Sequence, residues 1–141
     1  MADDTTKPTI HTGGCLCGAV RYTLTSEPAM PMVCHCKHCQ RQSGSAFSTI
    51  VAVPKSDCSV SGDISSYIDT ADSGNMITRQ FCDRCGSPLF TLSDTMPGMI
   101  FVKAGTLDDT DGYTPQVHIW AKSKQGWVET GEVPALEGNP G

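Results

Sequence analysis

Cysteine placement constrains this chain more than any other feature. Seven of its eight cysteines fall into three tight groups: Cys15 and Cys17, then Cys34, Cys36 and Cys39, then Cys82 and Cys85. Cysteines one or two residues apart bridge each other poorly as disulfides, yet their thiolates readily reach a common metal ion. The two pairs together supply four sulfurs, a closed tetrahedral set of the kind that holds a fold together. The triplet is one ligand short, and a site with a vacant position can take water or substrate. Four ordinary buried thiols is the plain alternative for the pairs, and their spacing argues against it.

With 141 residues, 38% of them apolar and 18% charged, the chain is sized for one domain with a modest core. No apolar run is long enough to span a bilayer, and the amino end lacks the basic flank and apolar stretch of a secretion signal. A cytoplasmic location is expected, where thiols stay reduced and metal binding gains over disulfides. A net charge of −5 argues against nucleic acid and membranes as partners unless positive charge is concentrated somewhere. Lys37 and Arg41 lie beside the triplet, Lys122 and Lys124 lie near the carboxyl end, and the rest are scattered, the pattern of solvated surface. An oligomer is neither required nor excluded.

Residues 1–9 read as a flexible polar leader, 10–130 as a single zinc domain and 131–141 as a flexible tail. Ala19 to Leu24 is rich in β-formers and reads as a first strand, ended by Pro28 and Pro31. Lys37 to Ser43 forms the one plausible helix, stopped at Gly44. Phe47 to Val53 is a strand stopped by Pro54, and Ser59 to Ile68 holds two short strands around Gly62-Asp63. After a loop at 69–75, Met76 to Phe81 leads into Cys82-Asp-Arg-Cys85 and Leu89 to Leu92 leads out, the outline of a zinc knuckle. Met99 to Ala104 and Gln116 to Trp120 complete the strands. Many short strands and at most one short helix make the fold mostly β.

On a regular strand Cys15 and Cys17 would stand about 6 to 7 Å apart. Two sulfurs on one zinc sit only about 3.8 Å apart. The backbone must bend there, and Gly13, Gly14 and Gly18 make a bend inexpensive. In Cys34-His35-Cys36-Lys37-His38-Cys39, three thiolates can hold a zinc, and His35 or His38 is near enough in sequence to supply a fourth ligand. Without the histidine the site is open and suits a soft, exchangeable thiolate; with it the site is closed and structural.

The strings GGCLCGAVRY (13–22), CHCKHCQRQSGSAF (34–47), FCDRCGSPLF (81–90), AGTLDD (104–109) and PQVHIW (115–120) resemble the glutathione-dependent formaldehyde-activating enzyme family, which includes domains similar to centromere protein V. The resemblance runs in order from about Gly13 to Trp127. It implies a β-tent fold of short twisted antiparallel sheets around two zinc ions per chain. It also implies that Cys15, Cys17, Cys82 and Cys85 are structural zinc ligands and that Cys34, Cys36 and Cys39 are catalytic ones. The implied activity is that of a carbon–sulfur lyase, joining or separating a small carbonyl and a thiol such as formaldehyde and glutathione.

Other residues carry weaker signals. Cys58 reads as a small core or surface thiol. His118 lies in a family-like string and reads equally well as a packed core histidine. Ser43, Gly44 and Phe47 follow the triplet closely enough to line its pocket. Trp120 and Trp127 read as core or rim aromatics, and Asp83 and Arg84 as exposed charge in a turn. Two functions from different classes follow: a zinc lyase working at an open triplet, or a noncatalytic zinc-stabilised binding module in which a histidine closes the second site.

Overall fold

The computed structural model describes residues 8–71 and 73–139. Most of the expected leader therefore lies outside the described residues. The strands are β1 (His11–Gly14), β2 (Arg21–Leu24), β3 (Ala29–Cys34), β4 (Ser48–Pro54), β5 (Cys58–Ser61), β6 (Ile64–Thr70), β7 (Met76–Cys82), β8 (Pro88–Ser93), β9 (Met99–Lys103) and β10 (Val117–Ile119). The α-helix, α1, spans Lys37–Ser43 and ends at Gly44, whose left-handed backbone (φ 63°) closes it. The protein is thus mostly β with one short helix.

Two sheets form, one in the order β1-β2-β5 and one in the order β10-β3-β4-β9-β8-β7-β6. All pairings are antiparallel except β10 on β3, so the large sheet is mixed and not purely antiparallel. Strand alternation assigns the faces of the large sheet. Val51, Val53, Ile100 and Val102 face the small sheet and pack with Tyr22, Leu24, Leu89 and Phe90. Tyr22 meets Phe90 edge-on, with ring centroids 5.3 Å apart. Each such fully buried side chain contributes about 1.5–3 kcal/mol. The intervening residues Ala52 and Phe101 turn to the opposite face, where Met32, Cys34 and Ile119 join them.

Three expectations are revised. Pro31 does not end a strand, because β3 runs through it: the ladder shifts register between Ala29 and Met32, and a bulge needs no amide from Pro31. Gly13 and Gly14 belong to a strand, β1, so the bend falls after them, in a turn where the Gly18 amide donates to the Cys15 carbonyl at 3.2 Å. Gly13 serves close packing instead, since a Cβ there would sit 2.3 Å from the Tyr22 hydroxyl oxygen. Lastly, 134–139 of the expected tail run beside β10. The His118 amide donates to the Pro134 carbonyl, and the Leu136 amide to the His118 carbonyl, both at 2.8 Å. The edge of β10 would otherwise leave these groups unpaired, and no apolar pattern in 131–141 announces the arrangement.

Candidate metal centres and their cavity

The first cluster forms where the two sheets meet. Cys15 and Cys17 lie in the turn leaving β1 of the small sheet, Cys82 ends β7, and Cys85 lies in the turn into β8 of the large sheet. Their four sulfurs lie within 4.8 Å of one another. Cys15 Sγ is 3.6 Å from Cys17 Sγ, which is 3.8 Å from Cys82 Sγ. Backbone amides point at the sulfurs: Val20 N–H donates to Cys15 Sγ at 3.2 Å, and the Arg84 and Cys85 amides donate to Cys82 Sγ at 3.3 Å. Burial raises the Cys15 pKa, and the hydrogen bonds from the Val20 amide, Cys17 and Cys82 outweigh it, so the net shift is downward. Hydrogen bonding from the Ser87 hydroxyl and amide lowers the Cys85 pKa to about 5.

The triplet forms at the other face of the large sheet. Cys34 is the last residue of β3, Cys36 is the N-cap of α1, and Cys39 lies in the first turn of that helix. As the cap, Cys36 Sγ accepts the Cys39 amide at 3.2 Å, and Cys39 Sγ lies 3.3 Å from Cys34 Sγ. All three sulfurs lie within 4.8 Å of one another. Among the described residues neither His35 nor His38 joins this donor set. His35 is fully buried and bound through Nε2 to His118 Nδ1 at 2.8 Å, its ring stacked on His118 and edge-on to Phe47. His38 Nδ1 binds the Asp69 carboxylate at 2.9 Å. His118 is therefore the packed partner of His35.

A cavity of about 510 Å³ opens on the triplet. Met30, Met32, Ile50, Phe101 and Ile119 supply its apolar wall. Arg79 and Lys103 also line it, and both are buried, at 5% and 7% exposure. Lys103 shares the face of Phe101 by alternation along β9 and donates to Ser48 Oγ at 2.5 Å. Arg79 donates through Nε to Asp69 at 3.0 Å, so Asp69 joins Arg79 to His38.

The charges here are interdependent. Hydrogen bonds from Cys34 and Cys36 hold Cys39 well below the ordinary thiol range against the effect of its burial, and the Lys103 and Arg79 charges add to this. The same contacts, led by Cys36, push Cys34 up. Burial lowers the Lys103 pKa, and the charge on Cys39 opposes that shift.

Sequence reasoning brought the two cysteine sets together correctly but missed Asp69, Arg79 and Lys103. The signal was alternation: Arg79 follows Ile77 on one face of β7, and Lys103 follows Phe101 on one face of β9. Ser43, Gly44 and Phe47, expected around the pocket, do not line it. Ser43 instead donates to the Cys39 carbonyl at 2.7 Å. Cys58 is half-buried against the inter-sheet core, Trp120 lines the cavity and Trp127 is exposed.

The profile of the family described as "Glutathione-dependent formaldehyde-activating enzyme" matches residues 10–123. The chain belongs to this family. Relatives in Halomonas elongata and Podospora anserina, each named "Putative glutathione-dependent formaldehyde-activating enzyme", are 29% and 30% identical over 83% and 86% of this chain. The chain spans 78% of the Halomonas family member but 61% of the Podospora one. A crystal structure of a Rhodobacter sphaeroides protein matches with a TM-score of 0.57 and 23% identity, covering 88% of this chain and 98% of the other. That likeness speaks for the fold, and the family membership rests on the profile.

Proposed function

We infer that this protein is a zinc-dependent carbon–sulfur lyase acting on a small carbonyl–thiol adduct such as S-hydroxymethylglutathione. One observation carries the reading: three clustered sulfurs, with no fourth protein donor among the described residues, open on a cavity of about 510 Å³ containing two buried cations. The metal reading rests on fit. Sulfur separations of 3.6 and 3.8 Å in the four-sulfur cluster match the edge of about 3.8 Å expected for tetrahedral zinc with bonds near ~2.3 Å. Cys15, Cys17, Cys82 and Cys85 would hold a structural zinc. Cys34, Cys36 and Cys39 would hold a second one with a position to spare. When bound there, zinc supplies Lewis-acid activation of a thiol or a carbonyl oxygen.

The remaining chemistry belongs to the chain. Addition of a thiolate to a carbonyl carbon forms the C–S bond and leaves the oxygen as an alkoxide, which gains a proton; cleavage runs the same steps backwards. Lys103 Nζ spends one donor on Ser48 and has others for that oxygen, in a buried site where such a contact is strong. Arg79 and Lys103 together offset the negative charge of three thiolates. Met30, Met32, Ile50 and Phe101 give the cavity an apolar wall beside the triplet, which strengthens electrostatic contacts made against it.

Two-dimensional NMR exchange spectroscopy on mixtures of formaldehyde and glutathione tests the reading. Native protein speeds interconversion, and Cys36→Ser reduces it to the rate in buffer. Equal rates in buffer, variant and native samples sink the formaldehyde and glutathione version. A cytoplasmic location suits the reading, since none of the eight cysteines is in a disulfide and a reducing compartment keeps such ligands available. No helix among the described residues is long and apolar enough to cross a membrane.

A further inference from the structure

Among the described residues, two that are not glycine hold a left-handed backbone, Met30 (φ 53°) and Trp120 (φ 57°), and both line the cavity beside the triplet. A bulky residue keeps that disfavoured conformation only where its surroundings over-determine it. For Trp120 those surroundings are plain. Its amide donates to the Gly138 carbonyl at 3.1 Å, its indole Nε1–H donates to Asn139 Oδ1 at 2.7 Å, and Lys122 Nζ lies 4.9 Å from its ring centroid. The run at 134–139 lies beyond the part of the chain that matches the family. It nevertheless fixes one wall of the cavity and places Asn139 in the lining.

Strand order also divides the cavity by polarity. Arg79 and Thr91 lie on the β7–β8 side, where Ile77 is the apolar exception. Met30 and Met32 of β3, Ile50 of β4 and Trp120 just past β10 form the other side, which is apolar. Met30, Met96 and Trp120 pack into the same apolar cluster as Cys34, Cys36 and Cys39. Met32 and Met30 precede Cys34 by two and four residues on β3, so this wall runs roughly 10 Å from the triplet. A one-carbon carbonyl at the triplet has no substituent to place on it. A hydrocarbon chain does, and burying it there removes apolar surface from water on both partners.

We propose that the β3–β10 side of the cavity is a subsite for an apolar chain, and that the carbonyl component of the adduct is an aliphatic aldehyde of several carbons. Trp120 is its specificity-determining wall, and 134–139 hold that wall in place. The assignment rests on the lyase reading for the position of the carbonyl, and on the cavity alone for the chain. The thiolate sulfur adds to the aldehyde carbon, the C–S bond forms, and the carbonyl π pair moves to oxygen, which takes a proton. Cleavage returns the proton and the pair. Nothing is oxidised or reduced, and the chain stays on its carbon in both directions.

The probe is 1-hexanol, which carries a chain and a hydroxyl but neither a sulfur nor a carbonyl to react. Titrated into native protein labelled with ¹³C at the methionine methyls, it shifts Met30, Met32 and Met96 in a saturable manner. Met76, which alternates with cavity-lining Ile77 along β7 and is exposed, stays unmoved. Affinity rises about fourfold per methylene from 1-butanol to 1-hexanol, the increment for burying a CH₂ group. Trp120→Ala binds 1-hexanol about tenfold more weakly, and Asn139→Ala, which loses only the support of the indole, about threefold. Zinc content equal to that of native protein shows the triplet intact in each variant. No saturable methyl shift, movement of Met76 with the rest, or affinity independent of chain length overturns the subsite, and native affinity in both variants overturns the role of Trp120. In exchange NMR with glutathione as the common thiol, hexanal shows a kcat/KM about tenfold above that of formaldehyde. A ratio of one or less overturns the aldehyde assignment. Failure of the lyase reading looks different: both aldehydes exchange at their buffer rates while the alcohol series persists, and the cavity stands as a site for an apolar chain.

Discussion

The four-sulfur and three-sulfur clusters draw on the same ligand chemistry at opposite faces of one sheet. The first joins two sheets: its cysteines come in pairs from the turn after β1 and from the end of β7 with the turn that follows it, with Cys15 and Cys82 packed into the inter-sheet core. The second joins nothing distant, since all three ligands come from six consecutive residues at the end of β3 and the start of α1. What surrounds it is a cavity with buried Arg79 and Lys103. A crosslink between distant segments stabilises the whole fold, whereas a local cluster costs little to lose. On the proposed reading, placing the local cluster at the cavity would free its chemistry from structural duty.

The largest effect that could break this division is on stability. Cys82→Ser, which removes a sulfur of the four-cysteine cluster that is 1% exposed and receives two amides, should, if that cluster holds the structural zinc proposed, forfeit most of its contribution, on the order of 10 kcal/mol. Loss of one zinc per chain and of the cooperative thermal transition is expected, measured by metal analysis and circular dichroism. Cys36→Ser should instead keep its transition within a few degrees of native while losing exchange activity. If both variants unfold alike, the division of labour is wrong.

The next effect is on turnover. Lys103→Met removes the buried ammonium while keeping the volume of its stem, and should lower kcat about 100-fold, or ~2.7 kcal/mol, the scale of losing one oxyanion donor. Zinc content should remain at two per chain. A KM change at constant kcat would instead make Lys103 a binding residue. His118→Phe sharpens the same side of the comparison at smaller scale. It keeps a ring beside His35 but leaves that imidazole, whose Nδ1 already lacks a partner, without its Nε2 bond, at a cost of about 2 kcal/mol. X-ray absorption at the triplet metal should report sulfur and no imidazole in native protein. Nitrogen appearing only in the variant would show that His118 is what keeps His35 off the metal.

Why one cluster was easier to read than the other follows from what each signal depends on. Cysteine spacing is local, so both cysteine clusters, the Cys82–Cys85 turn and the helix ending at Gly44 were visible in the chain. Lys103 and Arg79 looked like scattered surface cations because their burial depends on which strands flank them: β9 lies between β4 and β8, and β7 between β8 and β6. That order is set by long-range pairing, with Ile50 opposite Lys103 across more than fifty residues. β3 was lost for a similar reason. Pro31 is a strand breaker unless a bulge excuses its missing amide, and the bulge exists because β4 lies alongside. The run at 134–139 owes its position to the free edge of β10.

The smallest effect separates the clusters most finely. Ser87 ties the two halves of the four-sulfur site: its hydroxyl lies 3.2 Å from Cys85 Sγ and accepts the Leu16 amide at 3.0 Å. One residue thus orders the β7–β8 turn and the turn between Cys15 and Cys17 at once. Ser87→Ala removes both contacts without touching a ligand. The loss of roughly one net hydrogen bond should lower the melting temperature by about 3 °C. It should also make the structural zinc easier for a chelator to extract, because the Cys85 thiolate loses the largest contribution to its lowered pKa. Exchange activity at saturating substrate should be unchanged, since Ser87 lines neither the triplet nor its cavity. Chelator kinetics, thermal melting and exchange NMR on one preparation read all three. A fall in exchange at native stability would mean that the two clusters are coupled through the sheet that separates them.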